Sequence, residues 1–392
     1  MIETRRHLPA TPDVDHLPRL AVTRLAVSNF RSYAGAELDT SGHSIVLVGP
    51  NGAGKTNVLD ALSLLAPGRG LRGAKLSEHT RQGPTVAGTA LWAVAASLQR
   101  GEQSYEIGTG MIASAPGSER RQVRLNGANA ASSADLGEMV QMMWLTPAMD
   151  RLFIEGASGR RKFLDRLVVG FDHQHARRAA RYESAMRERA RLLKYGPRDP
   201  AWLEALEGQM AETGAALSRA RAEAVSRLNR ALAQRGDAGS FPSASLELDG
   251  EADRLIAETG SDGFCQRLLK QRLADAQVGR TLFGPHRSDL IVRHAAKRAD
   301  ARNCSTGEQK ALLIAIVLAQ AFELAHNTGA PAPILLLDEI AAHLDAVRRA
   351  GLFAEIEALG AQAWMTGTDI SLFRGARAHC YGVEDDRFIL QS

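Results

Sequence analysis

The chain is poor in the residues that stabilise secreted, zinc-binding or membrane-embedded proteins. Its three cysteines lie far apart and form no C-x-x-C pair, so the sequence favours neither a disulfide framework nor a zinc site, and it fits a reducing cytoplasm. The longest apolar run, residues 311–325, contains Gln320 and Glu323 and is shorter than the roughly 20 residues that span a bilayer. Residues 1–19 lack the apolar core of a signal peptide, and we expect them to form a flexible extension.

Aromatic residues and excess charge are also scarce. Aromatic side chains make up 5% of the 392 residues, which disfavours recognition of single-stranded nucleic acid by a platform of stacked rings. The formal net charge is +4, so an acidic partner is permitted but not required. With 45% hydrophobic and 23% charged residues the composition is that of a soluble globular protein, and the length favours a two-part architecture.

A phosphate-binding loop is the strongest motif in the chain. Residues 49–56 fit the pattern G-x-x-x-x-G-K-[ST], preceded by an apolar strand at 44–48 and followed by a helix over 56–65. In this pattern backbone N–H groups wrap a polyphosphate, the lysine reaches the β and γ phosphates, and the hydroxyl ligates Mg²⁺. The predicted nucleotide-binding residues are Gly49, Pro50, Asn51, Gly52, Ala53, Gly54, Lys55 and Thr56.

A second motif, near the other end, supplies two carboxylates. The apolar run at 334–337 predicts a buried strand, and Asp338 and Glu339 follow it directly. A strand that merely ends in exposed acids is the alternative, and the phosphate loop elsewhere in the chain makes it weak. We expect Asp338 to bind Mg²⁺ through a water and Glu339 to be the general base that orients the attacking water. With Lys55 they are the predicted catalytic residues of a protein driven by a nucleoside triphosphate.

The sequence Asn-Cys-Ser-Thr-Gly-Glu-Gln at 303–309 opens a long apolar helix. Its N–H groups and the positive helix end suit an anion. An ordinary N-cap, in which Ser305 or Thr306 caps the helix and Glu308 completes a capping box, explains the same residues. Both interpretations can hold at once.

The remaining pattern predicts a split α/β protein. Strand patterns at 20–29 and 86–98, further short strands to 125, and turn signals such as 116–117 indicate an antiparallel sheet beside the phosphate loop. Helical patterns begin near 146, and α/β pattern returns near 280. The predicted parts are a flexible extension at 1–19, the N-terminal part of an ATP-binding lobe at 20–145, a helical insert at 146–279, and the C-terminal part of the lobe at 280–392.

The insert combines many arginines with one long helical pattern. From 203 to 224, apolar and small residues recur at alternating spacings of three and four, which is typical of antiparallel helix pairing. Continued to 232, this helix would be about 45 Å long, so we expect a short projecting arm. The cations between 160 and 194 fit a solvated helix face and a track for DNA phosphates equally well. The candidate DNA contacts are Arg177, Arg178, Arg181 and Arg187.

Two segments near the paired acids resemble the ABC-type ATPases. Residues 303–309, about thirty positions before the acidic pair, match the signature motif of that superfamily, and Ala-His-Leu-Asp at 342–345 resembles its D-loop. In ABC-type ATPases the signature helix closes on the γ-phosphate held by a partner subunit. The resemblance therefore adds Ser305 and Gly307 to the predicted ATP contacts, acting across a dimer.

Longer tracts resemble the RecF family of bacterial recombination mediators, which are related to the SMC-type ATPases. Residues 336–352 follow the C-terminal pattern of the family, and 147–165 resembles its N-terminal pattern, with Ala148 where an acid is usual. The segments N-F-R-S-Y at 29–33 and G-P-H-R-S-D-L at 284–290 also look like family segments. The resemblance runs from about residue 20 to 392.

This resemblance implies a fold and a function. The expected fold is an α/β ABC-type ATPase head, a P-loop lobe with an antiparallel β subdomain that carries a helical insert with a short antiparallel arm. The expected activity is that of a weak, DNA-dependent ATPase with Mg²⁺. ATP drives homodimerisation on double-stranded or gapped DNA, and slow hydrolysis releases it. The implied roles are recombinational repair, replication restart and the SOS response, with RecO and RecR as partners, in the cytoplasm and away from membranes.

The resemblance also assigns individual residues. Arg31 is expected to border the adenine or ribose, with a surface arginine as the alternative. Gln141 takes the place of the glutamine that senses Mg²⁺, with a generic helical glutamine as an equal alternative. Thr368 stands where transporter ATPases place a histidine, and it can bond phosphate or water without carrying charge. His286 and Arg287 are expected to dock the returning chain rather than to take part in catalysis.

Two other classes of protein stay open from the sequence alone. One is the ATPase subunit of a membrane transporter, which Thr368 and the arginine-rich insert disfavour. The other is an SMC-like head in which ATP serves mainly as a dimerisation ligand.

Overall fold

A computed structural model describes residues 20–82, 91–113, 119–130, 136–196, 199–235, 239–384 and 386–391. The predicted extension at 1–19, the start of the predicted strand at 86–90 and the predicted turn at 116–117 lie outside these residues.

The strands are β1 (Leu20–Phe30), β2 (Tyr33–Asp39), β3 (Ser44–Val48), β4 (Trp92–Arg100), β5 (Gln103–Ala113), β6 (Glu119–Leu125), β7 (Ala128–Asn129), β8 (Met142–Leu145), β9 (Ala244–Asp249), β10 (Asp289–His294), β11 (Ala299–Asp300), β12 (Ile334–Leu337), β13 (Ala363–Gly367), β14 (Ala378–Glu384) and β15 (Arg387–Gln391). The helices are α1 (Lys55–Ser63), α2 (Leu136–Met139), α3 (Ala157–Val169), α4 (His175–Tyr195), α5 (Pro200–Arg235), α6 (Glu251–Lys270), α7 (Arg272–Val278), α8 (Thr306–Phe322) and α9 (Ala346–Ala358).

A mostly parallel sheet positions the two sequence motifs. Its strand order is β15-β14-β3-β13-β12-β8; β14, β3, β13, β12 and β8 run parallel to one another, and β15 is antiparallel to β14. Because the carboxyl ends of parallel strands meet at one edge, the phosphate loop after β3 and the paired acids after β12 share that edge, with β13 between them. Strands far apart in the sequence thereby form a single site.

The parallel sheet is buried on both faces, as the apolar strand sequences predict. Successive residues of β3 alternate between two cores: Val46 and Val48 pack into one, and Ile45 and Leu47 into the other. The first core lies against α8, and the second lies between this sheet and the antiparallel sheet β2-β1-β4-β5-β6-β7. The predicted antiparallel subdomain is therefore confirmed, and it covers the second face of the ATP-binding sheet.

The helical insert is a bundle of long helices. Helix α5 is continuous over 36 residues, about 54 Å, and packs against both α4 and α6. The sequence places Gly214 within it, where a Cβ atom would lie 2.6 Å from the Phe264 ring and 3.1 Å from the Tyr182 ring. Glycine is needed there because the three helices approach closely. The arginine-rich stretch is two helices, α3 and α4, separated at Gly170–Gln174, a break that the sequence pattern did not predict.

One sheet crosses the boundary predicted at residue 279. Strand β9 lies inside the predicted helical segment and pairs with β10 beyond residue 280, in a sheet of order β11-β10-β9. Among the described residues, Thr306–Asn327 is the one helical segment long and apolar enough to cross a membrane, and its most apolar part is largely buried inside the protein. The division at residues 145 and 279 stays a prediction.

Candidate functional site

The phosphate loop is a tight turn between β3 and α1. Gly54 has φ +101°, and a Cβ atom on it would lie 2.8 Å from the Tyr33 hydroxyl, so only glycine fits this close approach. The Tyr33 hydroxyl donates to the Gly54 carbonyl at 3.3 Å. The Lys55 ammonium turns back over the loop and donates to the carbonyls of Gly49 and Pro50, both at 2.8 Å. The loop is thus preformed, with its lysine folded across it.

The hydroxyl of the loop and the first of the paired acids are in direct contact. Thr56 Oγ1 donates to Asp338 Oδ1 at 2.9 Å. The same carboxylate oxygen accepts a second hydrogen bond, at 2.8 Å, from Thr366 Oγ1 at the end of β13. Thr366 Oγ1 also accepts from the backbone N–H of Glu339 at 2.9 Å. One threonine hydroxyl therefore fixes both acids, by donating to one and accepting from the backbone of the other.

Glu339 has a backbone conformation that non-glycine residues rarely adopt. Its φ is +52°, and its side chain is half-buried beside the fully enclosed Asp338. A positive φ is energetically unfavourable for a residue other than glycine, so contacts with the surrounding structure must hold Glu339 in this conformation. Burial lowers the pKa of Lys55, while the charges of Glu339 and Asp338 raise it, and the net shift is downward. The acids face the same space as the lysine.

Arg31 is held by a buried acid on the phosphate-loop helix. Its guanidinium donates to Asp60 Oδ2 at 3.1 and 3.0 Å, and to the Glu78 carbonyl at 2.9 Å. Asp60 is fully buried, with the His79 ring 3.5 Å away. Burial acts to raise the pKa of Asp60, but hydrogen bonds and charges from His79 and Arg31 outweigh it and lower the pKa. Arg31 is therefore fixed beside α1, where a contact with the nucleoside stays a prediction.

The predicted signature residues lie away from the phosphate loop of their own chain. Ser305 caps α8, and its side chain accepts from the Glu308 N–H while the Glu308 carboxylate accepts from the Ser305 N–H. Farther along, Lys310 pairs at 3.2 Å with Asp150, in the turn that follows β8. Strand β8 is three positions from β3 in the sheet, and none of the described hydrogen bonds or ion pairs joins Ser305 or Gly307 to the phosphate loop. The capping box and an anion site for another molecule are compatible.

Thr368 and Gln141 lie at opposite edges of the sheet. Thr368 directly follows β13 at the edge that carries the phosphate loop, and its side chain is exposed. Gln141 precedes β8, where its carbonyl accepts from the N–H of Ile334 at the start of β12, and its side chain donates to the Gly170 carbonyl at 3.4 Å. The prediction that Gln141 binds Mg²⁺ is wrong, because about 13 Å of strand separates it from Asp338.

The four arginines predicted to contact DNA lie along α4 in different settings. Arg177, Arg181 and Arg187 are exposed, and Arg187 lies 3.6 Å from Glu183 one turn earlier. Arg178 pairs with Asp172 and is less free to reach a phosphate. Other cations of the same stretch are structural: Arg189 is fully buried against Glu207 and Asp275, and Arg160 forks onto Asp289. The charge run is therefore divided between internal ion pairs and a surface.

Sequence reasoning missed four positioning residues. For Thr366, the available signal was a threonine inside an apolar strand. The role of Asp60 was not predicted, because a single acidic residue in an apolar helix forms no recognisable motif. The pair of Asp150 and Lys310 joins the turn after β8 to the signature helix, and no sequence pattern links two residues so far apart.

The fold and the site together define an ATPase head of the ABC type, in the form found in SMC proteins. The family model described as RecF/RecN/SMC N terminal domain matches residues 21–387. The chain is 47% identical over 374 residues to the DNA replication and repair protein RecF of Rhizobium leguminosarum bv. trifolii, covering 94% of this chain and 98% of that protein. The chain belongs to the RecF family.

Other relatives agree in sequence and in fold. The RecF proteins of Mesorhizobium japonicum and Caulobacter vibrioides are 49% and 48% identical, over 90% and 93% of this chain and 92% and 96% of their own lengths. A solved structure of the recombination mediator protein RecF with ATPrS has a TM-score of 0.80 at 22% identity, over 96% of this chain and 99% of that one. An Smc head domain from Pyrococcus furiosus has a TM-score of 0.52 at 18% identity, over 95% and 96%. The fold predicted from sequence, an ABC-type ATPase head, is confirmed.

Proposed function

We propose that this protein is an ATP-dependent DNA clamp of the RecF type, in which two copies enclose two ATP molecules. The observation that carries the proposal is the division of the site. Lys55, Thr56, Asp338 and Glu339 gather at one edge of the sheet, whereas the described contacts tie the first turns of α8 to Asp150, in the turn after β8, and not to the phosphate loop. One chain therefore offers half of a γ-phosphate site, and a second copy completes it with Ser305 and Gly307.

The oxygen ligands present fit a small hard cation. Thr56 Oγ1 and Asp338 Oδ1 lie 2.9 Å apart. This separation is about that of adjacent ligands around octahedral Mg²⁺ with metal–oxygen distances near 2.1 Å. Bound there with the nucleotide, Mg²⁺ supplies charge neutralisation of the phosphates. Thr56 and Asp338 are its proposed protein ligands, now that Gln141 is excluded.

The chain's own groups divide the remaining work. Lys55 exchanges its hydrogen bonds to the two loop carbonyls for bonds to the β and γ phosphates. The phosphates are charged acceptors and therefore bind the ammonium more strongly than the neutral carbonyls do. Glu339, held by its N–H bond to Thr366, accepts a proton from the attacking water as general base. Thr368, at the same edge, donates to phosphate or water, and Arg31 borders the adenine or ribose.

ATP binding closes the dimer on DNA, and slow hydrolysis opens it. The names of the relatives, DNA replication and repair proteins, support a repair role for this family member. Its proposed setting is the cytoplasm, at single-strand gaps in duplex DNA, where it acts with RecO and RecR in recombinational repair, replication restart and the SOS response. Membership of the RecF family removes the reason for the transporter alternative.

The Glu339→Gln variant tests the catalytic half of the proposal. The amide keeps the shape of the side chain but cannot accept the proton, so we expect ATP hydrolysis to fall by about 10²-fold or more. The ATP-bound dimer should persist, and size-exclusion chromatography with ATP and Mg²⁺ should show it for hours. Thr368→Ser, which keeps the hydroxyl at this edge, is the matched control.

An unchanged hydrolysis rate in Glu339→Gln would remove Glu339 from the mechanism. A wild-type protein that dimerises with ATP but hydrolyses it no faster than the variant would instead favour the SMC-like head in which ATP is a dimerisation ligand.

A further inference from the structure

A second concave surface lies in the helical insert, away from the phosphate loop. It is a groove of about 780 Å³ between α4 and the segment 279–287. We call it the basic groove and define it by the six cations that line it, which are Arg161, Arg187, Arg191, Lys194, Arg280 and Arg287. None of the residues that line it is an aspartate or a glutamate. The ATP site uses none of these residues.

Most of the positive charge in the basic groove is not neutralised within the described part of the chain. The Arg161 guanidinium donates to the Ser288 carbonyl at 2.8 Å, and no carboxylate lies within 4.0 Å of it. Burial lowers the pKa of Arg161, and the like charge of Arg221 lowers it further. Arg187 faces the exposed Glu183 at 3.6 Å and Arg191 faces the half-buried Glu188 at 4.0 Å, both on their own helix, and such pairs are weak.

Two cations lie on the opposite wall of the groove. The side chains of Arg280 and Arg287 are exposed and make no salt bridge or hydrogen bond in the regions that the structure describes. Lys194 lies over the ring of Tyr195 at 4.9 Å and forms no ion pair with a described carboxylate. Like charges held this close repel one another, so a bound polyanion relieves an unfavourable arrangement.

The wall that carries Arg280 and Arg287 is rigid. The His286 ring is fixed at both nitrogens, accepting at Nδ1 from the Tyr182 hydroxyl at 2.8 Å and donating from Nε2 to the Thr281 carbonyl at 3.1 Å. Burial lowers the pKa of His286 to about 4, so the ring is neutral and structural at physiological pH. Gly279 has φ +71°, and a Cβ atom on it would lie 2.8 Å from Cδ of Lys194. Glycine at this position therefore leaves room for the Lys194 side chain. The cations are presented by a preorganised surface.

The spacing of the cations fits a nucleic acid strand. Arg187, Arg191 and Lys194 lie on one face of α4 and rise about 10 Å along its axis. Phosphates of one DNA strand recur about every 3.4 Å along the duplex axis, so this row spans about three of them. Each residue of a helix advances by about 100°, so Arg181 is turned roughly 110° from the centre of this face and Arg177 roughly 70°, and Arg177 also lies about 15 Å before Arg187 along the axis.

We propose that the basic groove binds the phosphodiester backbone of the DNA that the clamp encloses. The inference rests on the proposed function. Of the four arginines that the sequence predicts to contact DNA, only Arg187 lines the groove, so the proposed contact moves from the other three to the groove between α4 and residues 279–287. The contact is electrostatic and independent of base sequence.

Two charge-reversal pairs test the location. The groove pair is Arg280→Glu with Arg287→Glu, and the matched control pair is Arg177→Glu with Arg181→Glu, which changes the net charge equally. Binding of a fluorescent gapped duplex is measured by anisotropy, with ATP and Mg²⁺, over a series of salt concentrations. We expect the groove pair to weaken binding by roughly tenfold or more at low salt and to reduce the slope of log K against log salt by about two. The control pair should change the affinity and the salt slope much less.

Thermal unfolding of each variant shows that the fold survives, and Arg280→Gln with Arg287→Gln gives a milder version of the same loss. An equal loss of DNA affinity in both pairs would overturn the proposal, because the net charge of the protein, and not the groove, would then determine binding. Wild-type affinity in the groove pair would also overturn it and would favour an acidic protein segment as the occupant. A wild-type protein that binds no DNA with ATP would overturn the proposed clamp together with the groove.

Discussion

At the scale of single residues, the site depends on a hydroxyl that connects its two acids. Thr366 is buried at the end of β13, where it donates to Asp338 and accepts from the N–H of Glu339. The left-handed backbone of Glu339, with φ +52°, is held partly by that bond. Thr366 touches neither nucleotide nor water in the proposed mechanism, so its role is to position the acids.

Replacing Thr366 by valine should therefore slow hydrolysis without removing ATP binding. The valine has the same shape but leaves the Asp338 oxygen and the Glu339 N–H without this partner. We expect kcat to fall about 10- to 100-fold, as for loss of other groups that orient metal ligands, with KM for ATP changed much less. Thr366→Ser, which restores the hydroxyl, should recover most of kcat. A valine variant with the wild-type kcat would show that the bridge is dispensable.

At the scale of elements, the insert is held by contacts between helices that are distant in sequence. Asp165 on α3 accepts from His175 on α4 at 2.8 Å and from Arg221 on α5 at 2.8 and 3.0 Å. Arg221 also donates to the Pro285 carbonyl at 2.6 Å, beside the basic groove. A single carboxylate thus joins three helices and the returning chain.

The Asp165→Asn variant should be less stable in a way that depends on pH. Burial acts to raise the pKa of Asp165, but hydrogen bonds from His175 and Arg221 outweigh it and lower the pKa from 3.8 to about 2. A depressed folded-state pKa stabilises the protein above pH ~4, and the effect is lost as pH falls towards 2. We expect a loss of about 2–3 kcal/mol in the free energy of unfolding at neutral pH, measured by urea denaturation. A difference that did not shrink in acid would contradict this assignment.

Two glycines of α5 should respond to alanine with opposite signs. At Gly214 the new methyl group meets the buried rings of Phe264 and Tyr182, whereas at Gly208 nothing lies within 4 Å. Gly214→Ala should therefore destabilise the protein by about 1–3 kcal/mol. Gly208→Ala should stabilise it by up to about 1 kcal/mol, because alanine favours the helix. Urea midpoints of the two variants measure this directly, and a stabilised Gly214→Ala protein would show that the helices can separate at no cost.

At the scale of the whole molecule, the fold brings the two ends of the sequence to one edge of one sheet. The phosphate loop and the paired acids were predictable because each is a local pattern of glycines or acids after an apolar strand. Strand β3 was predicted with its observed bounds, and α5 was predicted as one long helix, since periodicity reports each element separately.

Partners across the fold were not predictable from the same patterns. Gln141 was misplaced because a sequence does not tell which end of a strand meets the site. Arg160 and Arg189 looked like part of a surface charge run, although their guanidinium groups pair with Asp289, Glu207 and Asp275. The pairing of an arginine is decided by tertiary contacts, which periodicity does not record. The contact of Lys310 on α8 with Asp150, in the turn after β8, likewise depends on tertiary structure.

The most direct test of the clamp is the mass of the protein in solution with and without ATP and Mg²⁺, measured by sedimentation velocity and repeated with a short gapped duplex. We predict a shift from monomer to dimer on adding ATP, retention of the DNA by that dimer, and loss of the shift in Ser305→Arg, where a bulky cation replaces the helix cap. A chain that stays monomeric with ATP, with or without DNA, would contradict the account.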